Sequence, residues 1–346
     1  MQFNKVLVVG LGQLGLPVAK YVKEKGGFDA YGYDINTKSM DHAEKTVGIK
    51  KVQDDSGFSE FDVFVLCVST HKPNDIFSPQ IDALLSIVER ISKEAKNGAL
   101  VTIESTIPKG TSRKVLEILN HRLHVAHAPH RWYALEQEEH GVKQLRVVGG
   151  VYDCCLETAL QFYNGIPYSG TKIADANFDT MATTFTYNDT IVSNHDSESK
   201  DTNSKGSLEV VEQSLPARKS LGIPMHPVSD IEIAELTKIA ENAHRYLQIA
   251  FAEDLYLYCQ ANNINFPELR DALNTKWNVH ILEPREGIGG HCLLKDTKMF
   301  LQSSQSLKSK ILTAAMEVDQ DYRRYREFRI DSNGAENIVM QGRVTK

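Results

Sequence analysis

Short apolar runs alternate with segments of helical periodicity over roughly the first 150 residues. Short runs rich in β-branched residues predict strands that are buried on both faces. The predicted strands are 6–9, 30–33, 62–68, 99–103, 124–127 and 145–148. The predicted helices are 17–24, 83–96 and 111–119. This alternation predicts an α/β fold with a Rossmann-type doubly wound parallel sheet, which binds ligands at the carboxyl ends of its strands.

A long polar segment separates this part from a helical one. Residues 166–218 are rich in Asp, Asn, Ser, Thr and Lys. Such a segment cannot bury enough apolar surface to offset the entropy of ordering it, so we expect a flexible insertion without chemistry.

The helical part begins with one long helix. Ser229 or Asp230 is expected to cap it, and its apolar positions form a broad stripe that runs to about Ala261. A stripe of this width suits burial on more than one side. Helices at 266–273 and from 293 to about 328 complete a small all-helical domain. The predicted division of the chain is 1–165, 166–218, 219–330 and a polar tail at 331–346.

The first predicted strand runs directly into a glycine-rich turn. Gly10, Gly12 and Gly15 have G-x-G-x-x-G spacing between a strand and a helix, which predicts a cradle for a dinucleotide pyrophosphate. Asp34 closes the second strand, where a carboxylate accepts hydrogen bonds from ribose and repels a 2′-phosphate, so NAD is favoured over NADP. Two groups of cofactor-binding residues are predicted, one in this turn and one at a later strand end: Gln13 and Leu14 beside the three glycines, and Ser69 and Thr70.

Composition narrows the class of protein. Apolar residues make up 41% and charged residues 24%, with a net charge of −6, which is ordinary for a globular protein and gives no reason to expect nucleic acid as a partner. No apolar run approaches the roughly 18 residues that span a bilayer, and the first residues lack a signal-peptide pattern. Five scattered cysteines predict neither a disulfide framework nor a metal site, so a cytoplasmic protein is expected.

Two features of the helical part are candidates for chemistry. Cys292 follows Gly287-Ile288-Gly289-Gly290-His291, and these glycines let backbone amides approach a substrate, so the thiol is a candidate nucleophile. Lys238 and Asn242 are four residues apart and share one face of the long helix. The alternatives are a buried inert thiol and a surface lysine beside a surface amide.

Five segments, taken in order, resemble the nucleotide-sugar 6-dehydrogenases, the family of the UDP-glucose, GDP-mannose and UDP-N-acetylmannosamine dehydrogenases. The resemblance covers about 1–165 and 219–328, and the segments are 10–17, 104–111, 234–242, 249–253 and 289–296. It implies NAD as cofactor, a nucleotide sugar as substrate, and oxidation of its C6 alcohol to a carboxylate with two NAD. It also implies a homodimer that packs through the long helix.

The resemblance assigns roles to individual residues. Cys292 would hold the sugar as a thiohemiacetal and then as a thioester, and Lys238 and Asn242 would stabilise the oxygen of these species. Asp296 would orient water or tune Lys238. The resemblance further implies Thr106 as a water-positioning residue, Glu104 on the cofactor side, and four substrate-binding residues: Arg131, Gly289, Gly290 and Lys295.

Two departures from the family pattern leave alternatives open. His130 occupies the position where the family has a glutamate that assists hydrolysis, although histidine can also act as a general base. Nothing after Ile330 is typical of the family's additional nucleotide-binding domain. The alternatives are a two-electron dehydrogenase of the β-hydroxyacid or 6-phosphogluconate type, which needs no thiol, and an NAD-binding scaffold without turnover.

Overall fold

The computed structural model describes residues 3–52, 55–72, 74–131, 141–165, 219–303 and 309–341. The predicted flexible insertion, 166–218, lies outside the described residues. The chain forms an α/β domain on an eight-stranded sheet, followed by a long central helix and a group of helices.

The strands of the large sheet are ordered β10-β9-β8-β7-β4-β1-β2-β3. A separate two-stranded hairpin consists of β5 and β6. The strands, in chain order, are β1 Lys5–Val9, β2 Asp29–Tyr33, β3 Lys50–Lys51, β4 Val63–Leu66, β5 His71–Lys72, β6 Asp75–Pro79, β7 Leu100–Ile103, β8 His124–His127, β9 Arg146–Gly150 and β10 Met225–Pro227. Every residue of the central strands β4 and β7 is buried, which confirms the prediction of strands covered on both faces.

The sheet is not parallel throughout. β3, β2, β1, β4, β7 and β8 are parallel, but β9 runs antiparallel to β8, with Ala126 opposite Gly150 and His127 opposite Gly149. An apolar run indicates burial and not direction, so the parallel prediction was wrong for this strand. β10 was not predicted, because it is three half-buried residues at the sheet edge that end in a proline.

Helices cover both faces of the sheet. They are α1 Gly15–Glu24, α2 Thr37–Val47, α3 Asp82–Glu94, α4 Thr111–Ile118 and α5 Asp153–Tyr163, together with a 3₁₀ helix at Asp55–Glu60. Their apolar faces pack on the strands in one core, in which Val18 of α1, Val88 of α3 and Val115 of α4 are buried. This arrangement leaves the carboxyl ends of the parallel strands for the site.

The helical part consists of α6 Ile231–Ala261, α7 Phe266–Leu273, α8 His291–Gln302 and α9 Lys310–Gln341. Asp230 caps α6 by accepting a hydrogen bond from the N–H of Glu232, as predicted. The single helix predicted over 293–328 was wrong in two respects: α8 ends before Ser303, and α9 runs on to Gln341. Serine competes with the helix by bonding to nearby backbone, and Ser303 and Ser309 flank this break.

Two close contacts fix α6 on the α/β domain. A side chain on Gly149 of β9 would approach Cα of Ile231 to 2.8 Å, so only glycine allows this packing. The buried Glu235 carboxylate accepts hydrogen bonds from the N–H groups of Gly110 (2.5 Å) and Ser112 (2.7 Å) at the start of α4. A carboxylate at a helix N-terminus satisfies otherwise unpaired donors there. No helix in the described part of the chain is long and apolar enough to cross a membrane.

Candidate active site

The glycine turn after β1 has the conformation that a dinucleotide cradle requires. Gly10 has φ +87°, and a side chain on it would lie 2.6 Å from the carbonyl oxygen of Cys67. A Cβ on Gly15 would lie 1.6 Å from the carbonyl oxygen of Gly10, so the start of α1 packs directly on the turn. Gly12 differs, since no atom lies within 4 Å of its Cβ position. Its backbone therefore faces open space at the N-terminus of a helix, where a pyrophosphate fits.

Asp34 lies beside this turn with a fixed carboxylate. One oxygen accepts a hydrogen bond from the N–H of Leu11 (2.7 Å) and the other from the N–H of Asn36 (2.8 Å). Each oxygen keeps a lone pair for a ribose hydroxyl. Exposed Ile35 follows, so the end of β2 has the polar and apolar groups that suit an adenosine.

Glu104, at the end of β7, lies in a buried charged cluster. Its Oε2 is 2.6 Å from Nε2 of His130 and 3.0 Å from Nη1 of Arg146, while its Oε1 accepts a hydrogen bond from the hydroxyl of Tyr163 (2.6 Å). Burial alone would raise the pKa of Glu104, but the Arg146 guanidinium and His130 outweigh it and lower this pKa to about 2. The carboxylate is therefore ionised, and Arg146 compensates its charge inside the protein.

His130, from the loop after β8, is neutral in this cluster. Burial, followed by the positive charge of Arg146, lowers its pKa to about 4 against the opposing effect of Glu104. The positive charge of Lys238 lowers this pKa slightly further. Neither ring nitrogen of His130 makes a hydrogen bond within the described residues, and Nε2 is the one that lies 2.6 Å from Oε2 of Glu104.

A second group of polar side chains joins α6 to α8. The amide of Asn242 donates a hydrogen bond to Oδ2 of Asp296, whose Oδ1 lies 2.9 Å from Nζ of Lys295. Lys295 also donates to the hydroxyl of Thr70 (3.1 Å). Because Thr70 follows β4, this chain of contacts connects the helical part to the carboxyl edge of the sheet. Asp296, Lys295 and Thr70 are all buried.

Cys292 is exposed at the first turn of α8. Its Sγ lies 3.5 Å from Nε2 of His291. Burial of part of the side chain and the Asp296 carboxylate raise the pKa of the thiol, whereas Lys295 and Lys238 act to lower it. The charge of Lys238 thus lowers the pKa of both Cys292 and His130. Gly289 and Gly290 precede it with open space at their Cβ positions, so a substrate can approach their backbone.

Two domain models of one family match the chain. The NAD binding domain of the UDP-glucose/GDP-mannose dehydrogenase family matches residues 46–166, and the central domain of that family matches residues 232–321. The chain belongs to this family. The first match spans β3 to α5 and begins after the glycine turn and Asp34, and the second covers the helices that carry Lys238 and Cys292.

Relatives within the family are distant. The chain is 24% identical over 341 residues to a UDP-N-acetyl-D-mannosamine dehydrogenase of Methanococcus maripaludis, covering 93% of this chain and 66% of the relative. It is 27% identical over 351 residues to a Campylobacter jejuni protein of the same name, covering 92% of this chain and 72% of the relative. The chain thus spans about two thirds of the length of these relatives.

Solved structures agree on the fold. A UDP-D-ManNAc dehydrogenase from Pyrococcus horikoshii has a TM-score of 0.69 at 22% identity, covering 96% of this chain and 72% of that one. A 3-hydroxyisobutyrate dehydrogenase from Mycobacterium tuberculosis has a TM-score of 0.60 at 12% identity, covering 93% and 94%. At these identities the likeness shows the architecture alone.

Within this family member, Gly10, Asp34, Glu104 and His130 follow the carboxyl ends of β1, β2, β7 and β8, and Lys295 joins α8 to the same edge through Thr70. Thr106 is half-buried after β7. The guanidinium of Arg131, a predicted substrate-binding group, pairs with Glu241 of α6 and donates to the carbonyl oxygen of Leu145 (3.0 Å). Lys295 and Thr70, which are predicted to bind substrate and cofactor, bond to each other. These three contacts join elements of the site to one another.

Sequence reasoning missed four residues around the site: Arg146, Tyr163, Asp319 and Arg323. Arg146 begins the apolar run of β9 and is buried, and a buried arginine requires a counter-ion. An arginine inside a predicted buried strand was therefore a signal that the sequence contained. The sequence had no such signal for the other three residues, because their contacts cross long stretches of the chain.

Proposed function

We propose that this chain oxidises the C6 alcohol of a nucleotide sugar to a uronic acid, reducing two NAD per sugar. The observation that carries the proposal is the chain of contacts from Asn242 through Asp296 and Lys295 to Thr70, which joins α6 and the first turns of α8, where Cys292 lies, to the carboxyl edge of the sheet. Open Gly12 and the fixed carboxylate of Asp34 fit NAD, which supplies the hydride acceptor when bound. A thiol at the same site explains how oxidation continues beyond an aldehyde.

The first oxidation forms an aldehyde. As hydride leaves C6, the proton of the C6 hydroxyl passes to a base, and the ammonium of Lys238 stabilises the oxygen anion that develops. The sulfur of Cys292 then adds to the aldehyde carbon, and the proton of the thiol passes to the aldehyde oxygen. The resulting thiohemiacetal carries its oxygen beside the same ammonium and the amide of Asn242.

The second oxidation removes hydride from this thiohemiacetal and leaves a thioester on Cys292. Water attacks the thioester, the C–S bond breaks, and the acid and the free thiol are released. The nearby Asp296 is held by Asn242 and Lys295, so it keeps these two side chains in place through both steps.

His130 is suited to the hydrolytic step. With a pKa of about 4, its imidazole is as weak a base as a glutamate carboxylate, which has an ordinary pKa of about 4.3. Nε2 faces Glu104, so Nδ1 is the atom that accepts the proton of water. In this proposal Glu104 orients the imidazole and is a positioning residue, rather than a direct ligand of the cofactor.

We propose a UDP-linked sugar as the substrate and a homodimer as the assembly. Relatives named UDP-N-acetyl-D-mannosamine dehydrogenase motivate the substrate. Phe251 and Tyr258 motivate the dimer, because both are 58% exposed and lie seven residues apart on one face of α6. All five cysteines are free, which suits the reducing cytoplasm that we propose as its compartment.

The test is the number of NADH formed per sugar consumed, across UDP- and GDP-linked sugars, with Cys292→Ser as the matched variant. Two NADH per sugar in the parent chain, and loss of the acid in Cys292→Ser, would support the proposal. One NADH with a small hydroxyacid, undiminished in Cys292→Ser, would instead establish the two-electron dehydrogenase whose fold the 3-hydroxyisobutyrate enzyme shares. If the chain binds NAD but forms no NADH with any substrate, it is an NAD-binding scaffold without turnover.

A further inference from the structure

The loop that delivers Cys292 is held by α9, a helix remote in sequence. Asp319 accepts a hydrogen bond from the N–H of Ile288 (2.8 Å), and Arg323 donates from Nη2 to the carbonyl oxygen of the same residue (2.6 Å). Both polar groups of one backbone residue are therefore occupied by two side chains, four residues before Cys292.

The two side chains also fix each other. Nε of Arg323 lies 3.1 Å from both carboxylate oxygens of Asp319, and the hydroxyl of Tyr246 on α6 donates to Oδ2 of Asp319 (3.3 Å). One residue earlier on α9, the hydroxyl of Tyr322 donates to the carbonyl oxygen of Arg285 (2.8 Å). Nη1 of Arg323 also donates to the carbonyl oxygen of Glu286 (3.5 Å), so the loop has four hydrogen bonds to α9 between residues 285 and 288.

The loop is shaped to receive this guanidinium. Gly287 has φ +89°, and a Cβ on it would lie 2.6 Å from Cζ of Arg323. A glycine is needed there both for its backbone conformation and for the space that the guanidinium occupies. Ile288 is fully buried, in a small core with Tyr246 and Ala315 that anchors the loop from the apolar side.

We propose that Asp319 and Arg323 are positioning residues for Cys292. By fixing the backbone of Ile288 they set the direction in which α8 begins, and hence the place of the thiol relative to Lys238. The proposal deepens the proposed function and rests on it for the consequence in catalysis. The position and reactivity of the thiol, however, can be measured without any substrate.

The variants separate charge from geometry. Arg323→Met removes the guanidinium, while Arg323→Lys keeps a charge beside Asp319 and loses the planar reach to Ile288. Gly287→Ala disturbs the same contact from the loop side. The matched control is Arg324→Met, which breaks the exposed pair with Asp321 (2.8 Å) one position along α9.

Two measurements need no turnover. Amide hydrogen exchange across 285–292 is expected to rise at least about tenfold in Arg323→Met, since a charged hydrogen bond to the loop is lost. Alkylation of Cys292 by iodoacetamide, followed by mass spectrometry with exposed Cys154 as internal reference, is expected to change at least about threefold relative to Cys154. Gly287→Ala should reproduce both changes, Arg323→Lys should lie between, and Arg324→Met should match the parent.

Steady-state kinetics then test the consequence. Arg323→Met is expected to lower kcat at least about tenfold with an unchanged KM for NAD, because the cradle lies on other elements. If hydrogen exchange and alkylation are unchanged in both Arg323→Met and Gly287→Ala, and both variants are folded, Asp319 and Arg323 do not position Cys292, whatever the activity. If the parent chain has no dehydrogenase activity, the proposed function fails, but the first two measurements still decide whether α9 positions the thiol.

Discussion

Glu253 makes the stability of this protein depend on pH in an unusual direction. It is fully buried on α6, and neither carboxylate oxygen has a hydrogen-bond partner among the described residues. Burial, and then the nearby Asp319 carboxylate, raise its pKa from 4.5 to about 8, with Arg323 opposing. The folded protein therefore keeps a proton on Glu253 that the unfolded chain releases near its ordinary pKa.

The magnitude follows from this difference. Between pH 4.5 and about 8 the folded state binds one more proton than the unfolded state, so the free energy of unfolding falls by about 1.4 kcal/mol per pH unit. Above pH 8 the free energy of unfolding stops falling from this cause. The total decrease between pH 4.5 and about 8 is at most about 5 kcal/mol, which is a large part of the stability of an ordinary domain.

The perturbation is Glu253→Gln, which has nearly the same shape and does not titrate. Near pH 5 we expect the variant to unfold within about 1–2 kcal/mol of the parent, since both side chains are then neutral. At pH 8 we expect the variant to be more stable by several kcal/mol. The assay is urea unfolding followed by circular dichroism at half-unit steps from pH 5 to pH 8.5.

Groups other than Glu253 titrate in the same way in variant and parent. Their effect therefore drops out of the difference between the two free energies of unfolding. The matched control is Glu317→Gln on α9, where the carboxylate is exposed and the difference should stay constant with pH. If the difference for Glu253→Gln is the same at pH 5.5 and pH 8, the carboxyl is not held neutral, and the reasoning from its burial fails.

Three further predictions follow from charged contacts. Glu104→Gln leaves the buried Arg146 without its counter-ion, so we expect a loss of about 3–5 kcal/mol in unfolding free energy, measured by urea at pH 7. Glu235→Ala removes the acceptor for two N–H groups at the start of α4, and thermal unfolding should show a loss of about 1–3 kcal/mol. Asp34→Ala should weaken NAD binding by about 1–3 kcal/mol in calorimetry and leave the kinetics of Cys292 alkylation unchanged, since this carboxylate belongs to the cradle alone.

The α/β part could be predicted from the sequence because its signals are local. Buried strands are short apolar runs, and the cradle is a contiguous motif between a strand and a helix. The direction of β9 could not be predicted, because the same apolar pattern suits either direction. The break between α8 and α9 depends on serines whose bonds to the backbone compete with the helix, and periodicity alone does not weigh that competition.

The site was predicted only in part for a related reason. Lys238 with Asn242, and Cys292 with its glycines, are neighbours in sequence or on one helix face, so they can be found from spacing. The contacts of Glu104 and Arg323 are with partners far along the chain, namely Arg146 for the first and Ile288 for the second. Such pairings follow from how the elements pack, and one sequence does not contain that information in a readable form.

The central helix α6 also sets the spacing between several parts of the structure. Along α6, Glu235 bonds to the start of α4, Asn242 to Asp296 of α8 and Tyr246 to Asp319 of α9, and Glu253 lies beyond them. At 1.5 Å per residue, the positions from Glu235 to Glu253 extend over about 27 Å of one helix. A single residue inserted between Asn242 and Tyr246 would rotate everything after it by about 100°. The length of α6 therefore sets its contacts with α4, α8 and α9 together, and a change that shifts one of them shifts those that follow it along the helix.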